Sequence, residues 1–310
     1  MRTPVIFLVF NRPDLTVEVF ERIREARPPQ LFVVCDGPRE GVPGECEKVA
    51  AVRALIERGV DWPCEVHREY AAENMGCRNR VSSGLTWAFS KVEEAIVLED
   101  DCLPEPTFFG FCEELLARYR NDPRVMHIGG NNLAAPYLRR RESYWFGHHP
   151  AIWGWASWRR AWEHYDVEMR EWDARLATMR ASFASRWEAQ FWLPTFDRAR
   201  LQGVNASTWD TAWAFACRSV NGICILPTTN LVRNIGFGEA ATHTTEADQR
   251  LQIGSKPMPV IHHPKSVTWD RFADELFTRA YANEPIDFKT NLLSRLRIWR
   301  DRLSGASSAG

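Results

Sequence analysis

Short apolar runs alternate with longer amphipathic segments along the first 130 residues of the chain. The runs are rich in β-branched and aromatic residues and predict strands, while apolar positions at helical spacing predict helices between them. The predicted strands are Val5–Phe10, Leu31–Cys35, Cys64–Arg68, Ala95–Leu98 and Val125–Ile128, and the predicted helices are 15–25, 45–58, 78–90 and 106–120. This alternation is typical of βαβ units, so it predicts an α/β fold with a mainly parallel central sheet flanked by helices.

The pattern changes at residue 140, where Trp-rich helical spacing replaces the alternation. Helices are predicted at Trp153–Tyr165, 173–202 and Thr208–Asn221, and a strand at Ile223–Pro227. No linker rich in Pro, Gly or Ser marks the change, so we expect one domain over residues 1–285. Its first half, 1–135, would be covered by a helical, Trp-rich second half, 136–285.

The remaining segment, 286–310, is predicted to form a basic amphipathic helix and tail. From Lys289 onward, its basic residues outnumber a single acid, Asp301. One interpretation is a solvated terminal helix that packs on the body of the protein. The other is a weak contact with an anionic membrane surface.

Length, charge and composition exclude several classes of function. A chain of 310 residues buries enough surface to fold without disulfides or metal. The formal net charge of −1, with both signs spread along the sequence, argues against a nucleic-acid partner. No apolar run approaches the ~20 residues that cross a bilayer, and Val5–Phe10 is too short for a signal sequence. We therefore expect a cytoplasmic protein, peripheral to a membrane if its tail binds one.

Two residue types are open to more than one interpretation. The 8 cysteines include no CxxC pair and are interpreted as structural or incidental. The 14 tryptophans are either core residues or, in part, a platform for the apolar face of a sugar ring.

Polar or Gly-containing loops follow every predicted strand of the first half: Asn11–Pro13, Asp36–Pro38, Glu69–Gly76, Glu99–Asp101 and Gly129–Asn132. Ligands of open α/β sheets bind at the carboxyl ends of strands, so these loops are expected to meet at one crevice.

Three adjacent acids, Glu99, Asp100 and Asp101, follow the run Ala95–Leu98 directly. Carboxylates this close repel one another unless a cation lies near them. A divalent ion such as Mg2+ or Mn2+ prefers hard oxygen ligands and bridges nucleotide phosphates. A solvated acidic turn is the alternative explanation.

With these motifs in order, the chain resembles nucleotide-sugar glycosyltransferases of the GT-A fold, in particular the N-acetylglucosaminyltransferase I-like group, which carries an EDD form of the DXD motif. The resemblance covers residues 4–245 and rests on these stretches: Pro4–Arg12, Val33–Gly37, Leu98–Asp101 with Pro104–Phe111, Gly129–Asn132, Pro150–Trp158, Thr208–Asp210, Ile225–Pro227 and Asn234–Thr244. Glu73–Gly76 with Gly84 also resembles family 2 glycosyltransferases, although Val81 stands where that family has Arg, while Arg78 and Arg80 lie earlier.

The resemblance implies a metal-dependent, inverting enzyme. It would move a sugar from a nucleoside diphosphate donor, with UDP favoured, to a hydroxyl of a saccharide or glycolipid. The implied residues are Asp101 and His243 for the Mn2+ or Mg2+ ion, Arg12, Asp36, Arg78, Glu99 and Asp100 for the donor, and Asp210 as catalytic base. Asp210 would equally suit a helix N-terminus, and His243 a loop hydrogen bond.

Two other functions remain open at this point. A sugar-nucleotide nucleotidyltransferase would use a similar sheet but needs a Gly-rich basic loop after the first strand, which Asn11–Asp14 does not provide. A non-catalytic carbohydrate-binding protein would explain the tryptophans but would not need the acidic triplet.

Overall fold

The computed structural model describes residues 1–203, 206–236, 253–287, 291–296 and 298–300. The strands in these residues are β1 Val5–Val9, β2 Gln30–Cys35, β3 Glu65–Tyr70, β4 Glu94–Glu99, β5 Cys102–Pro104, β6 Val125–Gly129, β7 Tyr144–Gly147, β8 Trp155–Trp158, β9 Ile223–Pro227 and β10 Val232–Asn234. The helices are α1 Pro13–Ala26, α2 Glu45–Gly59, α3 Gly76–Phe89, α4 Pro106–Tyr119, α5 Arg159–Trp162, α6 Trp172–Ala181, α7 Arg186–Gln202, α8 Asp210–Ser219 and α9 Arg271–Tyr281.

Within the described residues, eight strands form one sheet in the order β3-β2-β1-β4-β8-β6-β9-β7. Strands β3, β2, β1 and β4 pair in parallel, and β6 pairs in parallel with β9. Strands β8 and β7 run antiparallel to their neighbours. Six of the eight strands therefore share one direction, which confirms the predicted mainly parallel α/β sheet. Strands β10 and β5 form a separate antiparallel pair.

Helices cover both faces of the sheet because alternate strand residues are apolar on both sides. In β1, Val5 and Phe7 belong to a core shared with α1, α2 and α4. The residues between them, such as Ile6, pack with α3, α5, α8 and α9 on the other face. A third cluster joins α6, α7 and α8 beyond the sheet. Burial on both faces accounts for the uninterrupted apolar runs that predicted these strands.

Helix boundaries follow local capping chemistry. Helices α1 and α4 each carry Pro at their N-terminus, where its missing N–H costs nothing. The Ser185 hydroxyl accepts a hydrogen bond from the Glu188 amide at the start of α7, and the Asp270 carboxylate accepts one from the Ala273 amide at the start of α9. The predicted helix over 173–202 is two helices, because α6 ends at Ala181 and the Ser185 cap begins α7.

The prediction of a helix over Trp153–Tyr165 is wrong for most of its length. Trp155–Trp158 forms β8, which pairs on one side with β4 and on the other with β6. Only the four residues of α5 are helical. All four residues of β8 are buried, and a short apolar run has no period that separates a strand from a helix. Gly154, directly before β8, has a φ of 61°, and a right-handed helix cannot continue through this left-handed conformation.

Most tryptophans of the second half are core residues. Trp155, Trp158, Trp209 and Trp213 are among the largest fully buried side chains, and Trp155 contacts both Trp209 and Trp213 at centroid distances of 5.8 and 5.7 Å. The cluster also holds His127, whose Nδ1 accepts a hydrogen bond from Trp213 Nε1 at 3.2 Å. Core packing therefore explains these residues, and they cannot serve as a sugar platform.

No helix in the described residues has the length and apolar character needed to span a membrane.

Strands from both predicted halves, β4 and β8 for example, are adjacent in one sheet. The proposed division at residue 135 stays a prediction.

Replacing Trp155 by Ala should lower the free energy of unfolding by about 3 to 5 kcal/mol, because a large side chain is removed from a fully buried position. Trp299, with 62% exposure, is the matched control, and Trp299→Ala should change stability by less than about 0.5 kcal/mol. Urea unfolding followed by circular dichroism measures both variants. Equal losses would contradict the assignment of Trp155 to the core.

Candidate active site

A cleft with a volume of about 440 Å³ opens at the carboxyl ends of β1, β2 and β4. The N-terminus of α3 forms the facing wall, and residues before α8 and after β10 complete it. The charged lining residues are Arg12, Asp36, Arg39, Arg78, Arg80, Glu99, Asp100 and Asp101. A volume of this size is ordinary for a small-molecule site, and the cleft is where ligands bind in open α/β sheets.

Arg12 joins the two central carboxylates of the cleft. Its Nη2 donates to Asp100 Oδ1, and its Nη1 lies 3.0 Å from Asp101 Oδ2. Asp100 is buried and also accepts a hydrogen bond from the Phe10 amide at 3.2 Å. Because β1 and β4 pair in parallel, the residues that follow them lie side by side, which places Arg12 against the acidic triplet.

Gly236 closes over this ion pair. An added Cβ there would collide with Asp101 Oδ2 and Cβ and would lie 2.9 Å from Arg12 Nη1. The Ile235 amide donates to the Asp101 carbonyl at 2.8 Å, which ties the segment after β10 to the triplet. Only glycine allows the backbone to approach Asp101 this closely.

Glu99 lies among like charges. Burial raises the pKa of its carboxyl well above the ordinary value, Asp101 and Asp100 raise it further, and Arg12 opposes them. Asp210 adds a smaller repulsion of the same sign. Burial also raises the pKa of Asp100, which Arg12 partly offsets. One cation thus faces three carboxylates, and the cleft has an excess of negative charge at this point.

Asp36 binds the protein's own loops. Its Oδ1 accepts hydrogen bonds from the Gly37 and Met75 amides, both at 2.9 Å, and its Oδ2 from Asn74 Nδ2 at 3.0 Å and the Gly76 amide at 3.1 Å. A carboxylate offers about four acceptor positions, so these donors fill them. Asp36 therefore holds β2 to the start of α3, and its contact with a nucleotide stays a prediction.

Arg78 and Arg80 are buried in the wall of the cleft. Arg78 Nη2 donates to Glu168 Oε1 at 2.6 Å and to the Val167 carbonyl at 3.1 Å. Arg80 Nη2 donates to the Glu69 carbonyl at 2.8 Å. Arg78 also lines the cleft. A nucleotide sugar would have to share this guanidinium with Glu168, so the contact of Arg78 with a nucleotide sugar also stays a prediction.

Arg39 and Phe10 line the cleft and were not identified from sequence. Arg39 binds the buried Glu45 through its backbone amide at 2.6 Å and through its guanidinium, and it lies over the Phe10 ring at 5.8 Å. The Arg39 hydrogen bond lowers the pKa of Glu45 to about 2. The position of Phe10 at the end of the first strand is the one sequence feature that could have indicated its place in the cleft. No feature of the sequence around Arg39 indicates that Arg39 lines the cleft.

Asp210 is the first residue of α8, where it accepts a hydrogen bond from the Thr208 hydroxyl. It is half-buried and close enough to Glu99 to repel it. The Tyr165 hydroxyl donates to the Trp209 carbonyl at 3.3 Å and contacts Ser82 of α3 at 2.7 Å. These contacts fix the N-terminus of α8 beside the wall formed by α3.

Asn131 and Asn132, in a loop that was expected to reach the crevice, are not among the lining residues of the cleft. Asn132 is fully buried, and its side-chain amide donates to the Pro227 carbonyl at 2.8 Å. Asn131 accepts a hydrogen bond from the Trp153 amide at 3.2 Å. Both residues stabilise loops at the end of β6. His243 and the rest of 237–244 lie outside the described residues.

The described residues contain no group of three or more His, Cys, Asp or Glu side chains arranged to hold a metal ion. The oxygen donors of the cleft are nevertheless of the right type. Asp101 keeps 16% side-chain exposure and has one oxygen on Arg12, while Glu99 lies in the same negative region. Mg2+ is commonly bound by one or two carboxylates together with substrate phosphates and water. The residues fit an ion of that kind, completed by a ligand.

The sequence matches no protein-family model and no curated protein. Among solved structures, the chain is similar to the mannosyltransferase PcManGT from Pyrobaculum calidifontis, in complex with GDP-Man and Mn2+, at 16% identity, 69% coverage of each chain and a TM-score of 0.39. It is also similar to the galactosyltransferase LgtC, at 10% identity, 93% and 98% coverage and a TM-score of 0.37. An apo UDP-glucose pyrophosphorylase matches at 10% identity, 73% and 90% coverage and a TM-score of 0.38. These values are too low to carry an assignment.

Replacing Arg12 by Gln should destabilise the protein by about 3 kcal/mol at pH 8, because it leaves Asp100 buried without its cation. Arg24→Gln is the matched control, since Arg24 pairs with Asp61 and Glu21 on the exposed surface and its loss should destabilise the protein far less.

The loss in Arg12→Gln should shrink as the pH falls. Removing the cation raises the pKa of Asp100 further above its unfolded value, so the folded variant binds a proton that the unfolded chain releases. Relative to the wild type, the penalty is then absent below the folded pKa of wild-type Asp100, about 6, grows as the pH rises toward the higher folded pKa of the variant, and is complete above it. Urea unfolding at pH 5 and pH 8 measures it, and a penalty that does not change with pH would contradict this role of Arg12.

Proposed function

We propose that the cleft binds a nucleoside diphosphate sugar and transfers the sugar, with inversion, to a hydroxyl of a saccharide or glycolipid. The observation that carries the proposal is the bridge from Arg12 to Asp100 and Asp101 at the carboxyl end of the sheet, in a cleft large enough for such a ligand. The sequence resemblance of the same residues to GT-A glycosyltransferases supports it.

The diphosphate of the nucleotide sugar would lie near Arg12, whose guanidinium is the positive group at the centre of the cleft. Phe10 and Arg39 form a flat, partly apolar wall beside it, suited to a nucleotide base. Asp36 already carries the negative charge at the N-terminus of α3, so it competes with a phosphate there rather than attracting one. We therefore assign Asp36 to positioning the loop at residues 73–76.

A divalent cation would be held by Asp101, with Glu99 contacting it directly or through water. Such an ion neutralises charge on a departing diphosphate. Arg12 orients Asp101 by binding its Oδ2, while Oδ1 accepts a hydrogen bond from the Cys102 thiol at 3.5 Å. Gly236 fixes the position of the Asp101 backbone, so the carboxylate is held in place before a ligand arrives.

Asp210 would accept the proton of the acceptor hydroxyl as that oxygen attacks the anomeric carbon. The new bond forms on the face opposite the departing diphosphate, which gives inversion. The Thr208 hydroxyl donates to Asp210 Oδ1 and orients the carboxylate, leaving the second oxygen for the acceptor. The contact of Tyr165 with the Trp209 carbonyl fixes the backbone that carries this base.

A nucleoside diphosphate or its sugar should raise the unfolding temperature of the protein only when Mn2+ is present. A ligand at 100 times its dissociation constant adds about 2.7 kcal/mol, which for a chain of this length is a shift of a few degrees. Thermal unfolding with UDP-, GDP- and CDP-sugars, each with and without Mn2+, measures it.

Two variants make the thermal test specific. Asp101→Asn should abolish the Mn2+-dependent part of the shift, whereas Asp61→Asn, on the exposed surface, should leave it unchanged. If no nucleotide changes the unfolding temperature under any condition, the donor site is wrong. Release of pyrophosphate from a nucleoside triphosphate and a sugar 1-phosphate would favour a nucleotidyltransferase instead.

Asp210→Asn should lower turnover by about 10² to 10⁴, because the acceptor hydroxyl loses its base. Asp173 is the matched control: it lies in the first turn of α6, so Asp173→Asn loses the same favourable charge at a helix N-terminus without approaching the cleft. The measurement is release of nucleoside diphosphate at saturating donor, once the thermal shifts identify one. Near wild-type turnover in Asp210→Asn would remove Asp210 from the mechanism while leaving the donor site intact.

A further inference from the structure

The C-terminal helical segment, residues 291–296 and 298–300, packs on the body of the protein by one face. Ser294 and Ile298, four residues apart, are buried, and the Ser294 hydroxyl accepts a hydrogen bond from Arg279 Nε of α9 at 3.0 Å. The Arg295 guanidinium lies over the Phe272 ring at 4.1 Å. This face of the helix therefore already has a packing partner on the body of the protein, through small, polar and apolar groups.

The other face of the segment exposes large apolar side chains. Leu292, Leu293, Leu296 and Trp299 are 49%, 48%, 53% and 62% exposed. Leu292, Leu296 and Trp299 follow spacings of four, three and seven residues, which places them on one side of a helix, opposite Ser294 and Ile298. Leu293, next to Leu292 in the sequence, lies at the edge of this stripe. Single exposed leucines are common, but four large apolar residues in one stripe mark a surface that binds something.

The charged residues within the sequence 291–300 are all basic. Residues 291–300 include three arginines, Arg295, Arg297 and Arg300, and no acid. Arg295 and Arg300 are exposed. A second copy of the chain would bring a second set of arginines to the same interface, which is unfavourable. An anionic surface with an apolar interior satisfies both the stripe and the arginines.

We infer that Leu292, Leu293, Leu296 and Trp299 insert into the interfacial region of an anionic lipid membrane, with Arg295 and Arg300 on its headgroups. The helix lies in the plane of the surface, because its opposite face remains packed on α9. Trp at such a depth has its apolar ring in the acyl boundary and its N–H near water. The inference does not depend on the proposed catalytic activity.

Sedimentation with vesicles tests the inference on the full chain. The protein should bind vesicles of phosphatidylcholine containing one third phosphatidylserine and not those of phosphatidylcholine alone. The triple variant Leu292→Ser/Leu296→Ser/Trp299→Ser should lower the partition coefficient by about tenfold or more, because three apolar anchors are lost. Arg295→Gln and Arg300→Gln should each lower it by about fivefold, and 0.5 M NaCl should do so in the wild type.

The double variant Leu201→Ser/Val260→Ser is the matched control, since these residues are 69% and 60% exposed outside the segment. It should bind like the wild type. Unfolding temperatures unchanged in every variant show that the fold is intact. No binding to either vesicle, equal binding to both, or binding that the triple variant retains would overturn the inference. A dimer without lipid that the triple variant abolishes would assign the stripe to a second copy instead.

Discussion

The ion pairs of Arg12 with Asp100 and Asp101 are the interaction on which the candidate site depends. Three consecutive carboxylates end β4 in a partly buried position, and their repulsion would displace the loop if nothing opposed it. The parallel pairing of β1 with β4 places Arg12 next to them, so the topology of the sheet supplies the missing cation. Gly236 then packs its backbone against the pair and brings the segment after β10 to the same point.

The sheet of the first half could be predicted from sequence because most of its strands are uninterrupted apolar runs separated by amphipathic helices. The four residues of β8 could not, since Trp155–Trp158 is a strand only because it pairs with both β4 and β6. Local spacing carries no information about such pairing. The same limit applies to the tryptophans, because burial at Trp155 and Trp213 depends on His127 and on elements far apart in the chain.

Candidate site residues could be placed at the cleft from sequence, but their availability could not. Arg12, Asp36 and Asp101 all follow strands, as the pattern predicted, and all line the cleft. Asp36 nevertheless accepts three hydrogen bonds from the loop at residues 73–76 and a fourth from the Gly37 amide. This arrangement needs Gly37 to approach the Glu73 backbone closely. Hydrogen-bond partners drawn from distant loops decide whether a carboxylate positions a ligand or positions the protein.

Charge balance supports the proposed metal dependence more strongly than any single motif does. Arg12 is the one guanidinium that contacts the acidic triplet among the described residues, and it is already shared between Asp100 and Asp101. A diphosphate entering beside Glu99 would add negative charge to a region where burial and neighbouring acids already disfavour it. Under the proposed function, a divalent cation held by Asp101 would supply the positive charge that removes this conflict. The negative excess of the cleft therefore supports the proposal of a ligand that is an anion accompanied by a cation.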